Sequence, residues 1–246
     1  MILLIYENNW DTFLSAVFEA FLRKGGCDLV REGRFSGNSL FDKLYVKSDE
    51  VRAERVQRGM AKLGANVGHT VYQAWLSERE GIENDIVLTL KRGFDEKRDP
   101  LPMLMHPEIR RVALASRHVG LESQRFLGLT RLKRVHGDLY AADFTHDCNL
   151  LPLMGGHFCG RFGDQRIVIR DIERRQALVT GHGRWELTAL EGDIAPLPPD
   201  GEFEGLWRRY FEAIANPARK NLKLQQKFVP LKYRAHLTEF QNGKPL

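Results

Sequence analysis

Cysteine is scarce in this chain: Cys27, Cys148 and Cys159 are the three present. The number is odd and no two form a CxxC pair, so no disulfide framework is implied, and a reducing, cytoplasmic setting is expected. Long apolar runs are also missing. The opening MILLIY is apolar, but Glu7, Asn8 and Asn9 follow at once. Six residues cannot cross a bilayer and no basic region precedes them, so the run is expected to be the first strand of a soluble protein with no membrane partner. No low-complexity segment and no repeat of about 20–50 residues is visible, which argues against a solenoid. Dinucleotide fingerprints, phosphate-binding loops, HExxH and GxSxG are absent, so no cofactor is implied. Finally, residues 216–237 lack acid: they hold Arg219, Lys220, Lys223, Lys227, Lys232 and Arg234 and neither Asp nor Glu.

What is there fits a folded chain of one large or two small domains. Apolar residues make up 43% and charged residues 28%, enough to bury a core without disulfides or a structural metal. The net charge of +5 is unevenly spread. From Trp207 to Leu246 there are nine Lys/Arg and two acids, a net of +7, which leaves −2 for residues 1–206. The excess positive charge therefore sits in the last forty residues, and a polyanion or an acidic partner is the expected counterpart.

Periodicity predicts the elements. Phe13, Leu14, Val17, Phe18, Phe21 and Leu22 form an amphipathic helical stripe, capped by Asn9 or Asp11 and ended by Gly25 and Gly26. Residues 28–43 read as a loop, whose stretch from Gly33 to Ser39 could offer backbone amides to phosphate, with a short strand at Leu44 to Val46. Helices are predicted near 49–63, 67–80, 82–94 and 107–124, with Pro100 and Pro102 in a linker. After Arg125 the period changes. FLGLTRL with LYAADF, and RIVIRDI with QALVT, read as hairpins, and WEL is expected to add a strand. Between them NLLPLMGGHFCGRF reads as a helix bent by Pro152 and Gly155-Gly156. A connector with Pro196, Pro198 and Pro199 leads to the last helices. The class is α+β: residues 1–105 mainly helical with an N-terminal strand, and 106–246 a small antiparallel sheet with packed helices and a basic end.

In the C-terminal segment Leu206, Trp207, Tyr210, Phe211 and Ile214 form one stripe, with Arg208 and Arg209 away from it. Asn216 before Pro217 turns the chain and caps a new helix. Projected at about 100° per residue from Arg219, Lys223, Lys227 and Lys220 fall at about 40°, 80° and 100°. Leu224, Phe228, Ala218 and Leu222 occupy the arc from about 140° to 300°, predicted to be buried. Amides at the start of that helix would favour an anion near Asn216. Arg208, Arg209, Asn216, Arg219, Lys220, Lys223, Lys227, Lys232 and Arg234 are thus the candidate nucleic-acid contacts. Trp207 and Tyr233 could stack on bases if exposed, although the position of Trp207 in its stripe favours the core.

Catalytic candidates are weak. HDCNLLPLMGGHFC holds His146, Cys148, His157 and Cys159, but His157 and Cys159 are two residues apart and point opposite ways on a helix, so no metal site is expected. Asp143, Asp171 and His157 supply the residue types for acid–base hydrolysis, and no spacing brings a chosen pair together.

WDTFLSAVFEAF, the RVQRGM helix, HPEIRRV, FLGLTRL with LYAADF, HFCGRF with IVIRD, and above all WRRYFEAIANPARKNL carry a resemblance over almost the full length. They are similar to a bacterial family of DNA-metabolism or DNA-repair proteins, a domain of unknown function. Its members resemble partners of a radical S-adenosylmethionine iron–sulfur protein, and some are fused to a uracil-DNA-glycosylase-like domain; no such extension is expected after Leu246. The resemblance implies a DNA-binding accessory protein beside a radical enzyme, and supplies no catalytic residue. The CxxxCxxC motif of the radical chemistry is absent here. A nuclease- or glycosylase-type enzyme, and a protein-interaction module without DNA contact, are the alternatives.

Overall fold

The computed structural model describes residues 1–23, 26–35, 40–198, 201–214 and 216–240. Gly25, residues 36–39 of the predicted loop and Pro199 lie outside them. The chain forms two compact units, Met1–Gly120 and Leu121–Leu246, and the α+β class expected from the sequence is the class observed.

The first unit opens with β1 (Ile2–Tyr6), α1 (Trp10–Leu22) and β2 (Cys27–Arg31), a parallel β–α–β unit, and β3 (Asp42–Val46) pairs with the other edge of β1. The sheet order is β2-β1-β3. Central β1 is buried from Leu3 to Tyr6, which is why MILLIY is continuously apolar rather than alternating. Asn9 caps α1, its side-chain oxygen accepting from Thr12 N at 2.8 Å. The segment predicted as a loop at 28–43 in fact begins with β2: Asp28 and Arg31 interrupt the apolar residues of CDLVR and mask the strand's period. Three helices follow, α2 (Glu50–Leu63), α3 (Val67–Leu76) and α4 (Ile82–Glu96). Their core residues include Val56, Met60, Val71, Trp75, Ile86 and Leu90.

Arg31 is buried at the end of β2. Its Nε meets Glu83 Oε1 at 2.5 Å, its Nη1 meets Glu78 at 3.1 Å, and its Nη2 donates to the Trp75 carbonyl at 2.6 Å. Tyr6 OH donates to Glu83 at 3.2 Å and accepts from Trp75 Nε1 at 3.2 Å. Every charge in this network has an opposite partner, the condition for tolerating burial.

Helix α5 (Pro107–Leu129) is longer than predicted and takes in the start of FLGLTRL. Phe126 is buried against Phe144 and Tyr233, and this packing keeps the turn helical. A short apolar run does not distinguish a helix end from a strand. The hairpin partner of LYAADF is instead β4 (Lys133–His136).

The second unit is built on five strands in the order β4-β5-β6-β7-β8, with β5 (Leu139–Phe144), β6 (Arg166–Asp171), β7 (Gln176–Gly181) and β8 (Arg184–Ala189). The sheet is antiparallel except between β5 and β6, which run parallel because α6 (Leu151–Phe162) crosses between them. Pro152 does not bend α6: it lies in the first turn, where its missing N–H costs nothing. Gly155 has a separate role, because a Cβ there would come within 3 Å of three ring atoms of Trp185 on β8. The chain ends in α7 (Gly201–Ile214), a 310 turn at Pro217–Arg219, α8 (Leu222–Phe228), and 310 turns at Leu231–His236 and Thr238–Phe240.

Candidate functional site

The buried polar centre of the second unit joins α5, the loop after β5 and the C-terminal segment. His146 Nε2 lies 3.0 Å from Glu122 Oε2, and Tyr233 OH lies 2.7 Å from the same oxygen and 2.8 Å from Nε2. Cys148 N–H donates to His146 Nδ1 at 2.9 Å, which leaves the ring proton on Nε2, facing Glu122. Arg125 pairs with the other carboxylate oxygen. Burial alone would raise the Glu122 pKa; hydrogen bonds from His146 and Tyr233, with the Arg125 charge, outweigh it and pull the carboxyl down to about 2. Burial and the Glu122 carboxylate both push the Tyr233 hydroxyl up. The His146 side chain is sealed from solvent, so the cluster clamps the C-terminal segment to the unit and has no open face for a substrate. Thr145 adds a bond to His236, 3.3 Å between Oγ1 and Nε2.

Beside it opens a cleft of about 740 Å³. The end of α5 and β4 give Leu127, Arg131 and Lys133; β5 gives Tyr140; α6 gives Phe158, Arg161 and Phe162; α7 gives Phe203, Glu204, Leu206, Trp207 and Tyr210. Arg131 is held by both oxygens of Glu239, at 3.2 and 2.7 Å, and by the Gly128 carbonyl at 2.8 Å. So fixed, its guanidinium lies 5.3 Å over the Trp207 ring, and the indole N–H donates to Glu239 at 3.0 Å. Burial would raise the Glu239 pKa, but the Arg131 hydrogen bonds hold it below the usual carboxylate value. Lys133 Nζ sits 2.7 Å from Glu204, which also faces Arg208 at 3.4 Å. Glu204, which lines the cleft, and Glu239 beneath Trp207 are thus both neutralised. Arg161 is exposed, lies over the Phe162 ring at 5.7 Å, and pairs with no carboxylate among the described residues.

The stripe on α7 does not close into a core. Phe203, Leu206, Trp207, Tyr210 and Ile214 remain exposed, Trp207 at 37% and Tyr210 at 56%, while Tyr233 is buried. A helix whose apolar side faces an open cleft has the same sequence period as one that faces a core.

The basic helix also differs from its projection. Asn216 starts only a 310 turn, its side chain accepting from Ala218 N at 3.0 Å. The chain is extended at Asn221, whose side chain accepts from Leu224 N at 3.0 Å and caps a helix of seven residues. A second residue able to cap locally interrupts what the projection treated as one helix. Its apolar arc is not buried: Leu222, Leu224 and Phe228 are exposed, and the helix N-terminus expected at Asn216 does not form.

The nine candidate contacts fall into two groups. Arg208 donates to the Thr238 carbonyl and faces Glu204; Lys232 pairs with Asp147; Arg234 lies over the Phe240 ring and donates to the Val229 carbonyl; Asn216 caps its turn. Arg209, Arg219, Lys220, Lys223 and Lys227 are exposed, and among the described residues none has a carboxylate partner. Elsewhere most buried or half-buried arginines are paired, including Arg31, Arg92, Arg131, Arg170 and Arg174.

The catalytic candidates are not brought together. Asp143 accepts two bonds from Arg170, at 2.6 and 2.9 Å. Asp171 accepts from Arg174 N at 3.1 Å and from its guanidinium at 3.0 Å, shaping the turn into β7. Asp143 pairs in register with Arg170, and Phe144 with Asp171, so the two carboxylates lie on opposite sheet faces. His157 is exposed on α6, its ring edge-on to Phe158. Among the described residues no group of three His, Cys, Asp or Glu converges as a metal site. Sequence reasoning missed Arg131, Lys133, Arg161, Tyr140, Phe158 and Phe162. Their one local signal was an Arg beside an aromatic, as in Arg161-Phe162, which is too common to single out a cleft.

Fold and site together define an α+β protein whose second unit combines an aromatic, cation-rimmed cleft with a basic C-terminal segment. The sequence model of a family described as a domain of unknown function, DUF4130, matches residues 80–239, and the chain belongs to that family. No curated protein and no solved structure matches it. Among the described residues no helix is long and apolar enough to cross a membrane.

Proposed function

We propose that this chain is a DNA-binding accessory protein of DNA repair or modification that works beside a radical S-adenosylmethionine iron–sulfur partner. The observation that carries the DNA contact is the group Arg209, Arg219, Lys220, Lys223 and Lys227, exposed and without carboxylate partners among the described residues. Like charges such as Lys223 and Lys227 at i,i+4 repel one another by a few tenths of a kcal/mol, and a polyanion reverses the sign of that term. The radical partner rests on the family resemblance carried by WRRYFEAIANPARKNL and its companion motifs. The chain's own part is electrostatic: it holds the strand while the partner supplies the chemistry.

Titrating duplex and single-stranded DNA over a salt series tests this reading. Each phosphate contact contributes about 0.9 to the slope of log K against log salt for duplex and about 0.7 for single strands. Lys223→Glu with Lys227→Glu is therefore expected to reduce the duplex slope by roughly 1.8 and the single-strand slope by roughly 1.4. Equal, salt-insensitive binding by both proteins would sink the phosphate reading. Copurification with the radical enzyme in nuclease-treated extract, lost in the double variant, would assign the segment to a protein contact instead.

A further inference from the structure

Five exposed apolar side chains on one face of α7, from Phe203 to Ile214, make a large open patch for a helix that caps a cleft. The cleft's composition says what chemistry it fits. The lining of its volume of about 740 Å³ is aromatic on two sets of elements: Tyr140, Phe158 and Phe162 from β5 and α6, and Phe203, Trp207 and Tyr210 from α7. The acid that lines it, Glu204, is already neutralised by Lys133 and Arg208, and Glu239 behind it is held by Arg131. The surplus charge is positive: Arg161 lines the cleft, exposed and without a carboxylate partner among the described residues. Arg131, pinned by three hydrogen bonds, holds the Trp207 ring in place, so the aromatic wall is set before any ligand arrives. Flat rings beside an unpaired cation complement a ligand that is itself a flat ring attached to an anion.

We propose that this cleft holds an unstacked base of a single-stranded nucleic acid, seated against Trp207 and Tyr210, with a flanking phosphate on Arg161. The inference rests on the DNA-binding reading above and adds a strand preference to it. A base still paired within a duplex cannot enter, so the cleft separates single strands from duplex while the basic segment serves both. Stacking carries little sequence information because every base has a π face, and Gln165 and Thr130 at the cleft offer the polar atoms for any discrimination.

The test uses the full chain, a short labelled oligothymidylate and a duplex of the same length. Tyr210→Ala removes an exposed ring without disturbing the core, and Trp207→Ala removes the ring that Arg131 backs. Both are expected to weaken oligothymidylate binding roughly 5- to 150-fold while leaving the salt slope and the duplex affinity unchanged. Trp207→Phe keeps a ring and is expected to retain most of the affinity. Oligothymidylate should also quench a fluorescence component that is missing from Trp207→Phe. Unchanged oligothymidylate binding by Tyr210→Ala and Trp207→Ala overturns the proposal. So does a dimer in sedimentation that Tyr210→Ala converts to monomer at constant DNA affinity, since a second copy then fills the cleft. Failure of the phosphate reading looks different: the slope stays the same in the Lys223→Glu/Lys227→Glu protein. Binding of neither probe by the wild type overturns both.

Discussion

Tyr233→Phe isolates the clamp that holds the C-terminal segment. It deletes one hydroxyl, which lies 2.7 Å from Glu122 and 2.8 Å from His146, and keeps the ring stacked on His146 and edge-on to Phe126. A hydrogen bond to a charged acceptor is worth about 1.5–3 kcal/mol. Glu122 keeps His146 and Arg125, so the carboxylate is not orphaned and a loss of about 2 kcal/mol is expected. The pH dependence sharpens this. The Glu122 pKa is depressed in the fold, from 4.5 to about 2, so its contribution is fully present above pH 4.5 and lost as pH falls toward 2. At about 1.4 kcal/mol per pKa unit, that contribution is roughly 3 kcal/mol in the wild type. Without the Tyr233 donor the carboxyl returns part of the way to its ordinary value, so less stability remains to be lost in acid. The variant's deficit should therefore be largest near pH 7 and shrink below pH 4. Amide hydrogen exchange reads the two units separately: protection in β5 and β6 should fall by roughly 30-fold at pH 7, while β1 and β2 hold theirs. Unchanged protection in β5 and β6 at pH 7, or the same deficit at pH 7 and pH 3, would show that the clamp carries no such energy.

Further outcomes follow from other sites. Arg31→Met should destabilise the first unit by about 3–5 kcal/mol, because Glu83 and Glu78 lose their buried cation; adding Glu83→Gln should recover part of it in urea unfolding. Gly155→Ala should cost about 1–3 kcal/mol by forcing the Trp185 ring off α6, seen as a change in tryptophan emission. Gly156→Ala, where a Cβ meets nothing within 4 Å, should instead stabilise α6 by up to about 1 kcal/mol in the same assay.

The sequence by itself determined what depends on neighbours along the chain. The stripe of α1 with a cap at Asn9 or Asp11, the β6–β7 hairpin and the +7 charge of the last forty residues were all legible there. Periodicity and charge are local properties, and local forces enforce them. Tertiary structure decided what faces what. FLGLTRL begins as helix because Phe126 finds Phe144 and Tyr233, and CDLVR is a strand because β1 offers it an edge. Trp207 and Tyr210 belong to a stripe that reads as core, yet they line an open cleft, since a helical period records one apolar side and not what lies opposite it. The same holds for the charges. Lys232 and Lys227 are alike in sequence, but only the fold brings Asp147 to Lys232, whereas Lys227 meets no carboxylate among the described residues. Pairing across eighty-five positions of chain is a three-dimensional fact, and it is what separates structural cations from those available to a ligand.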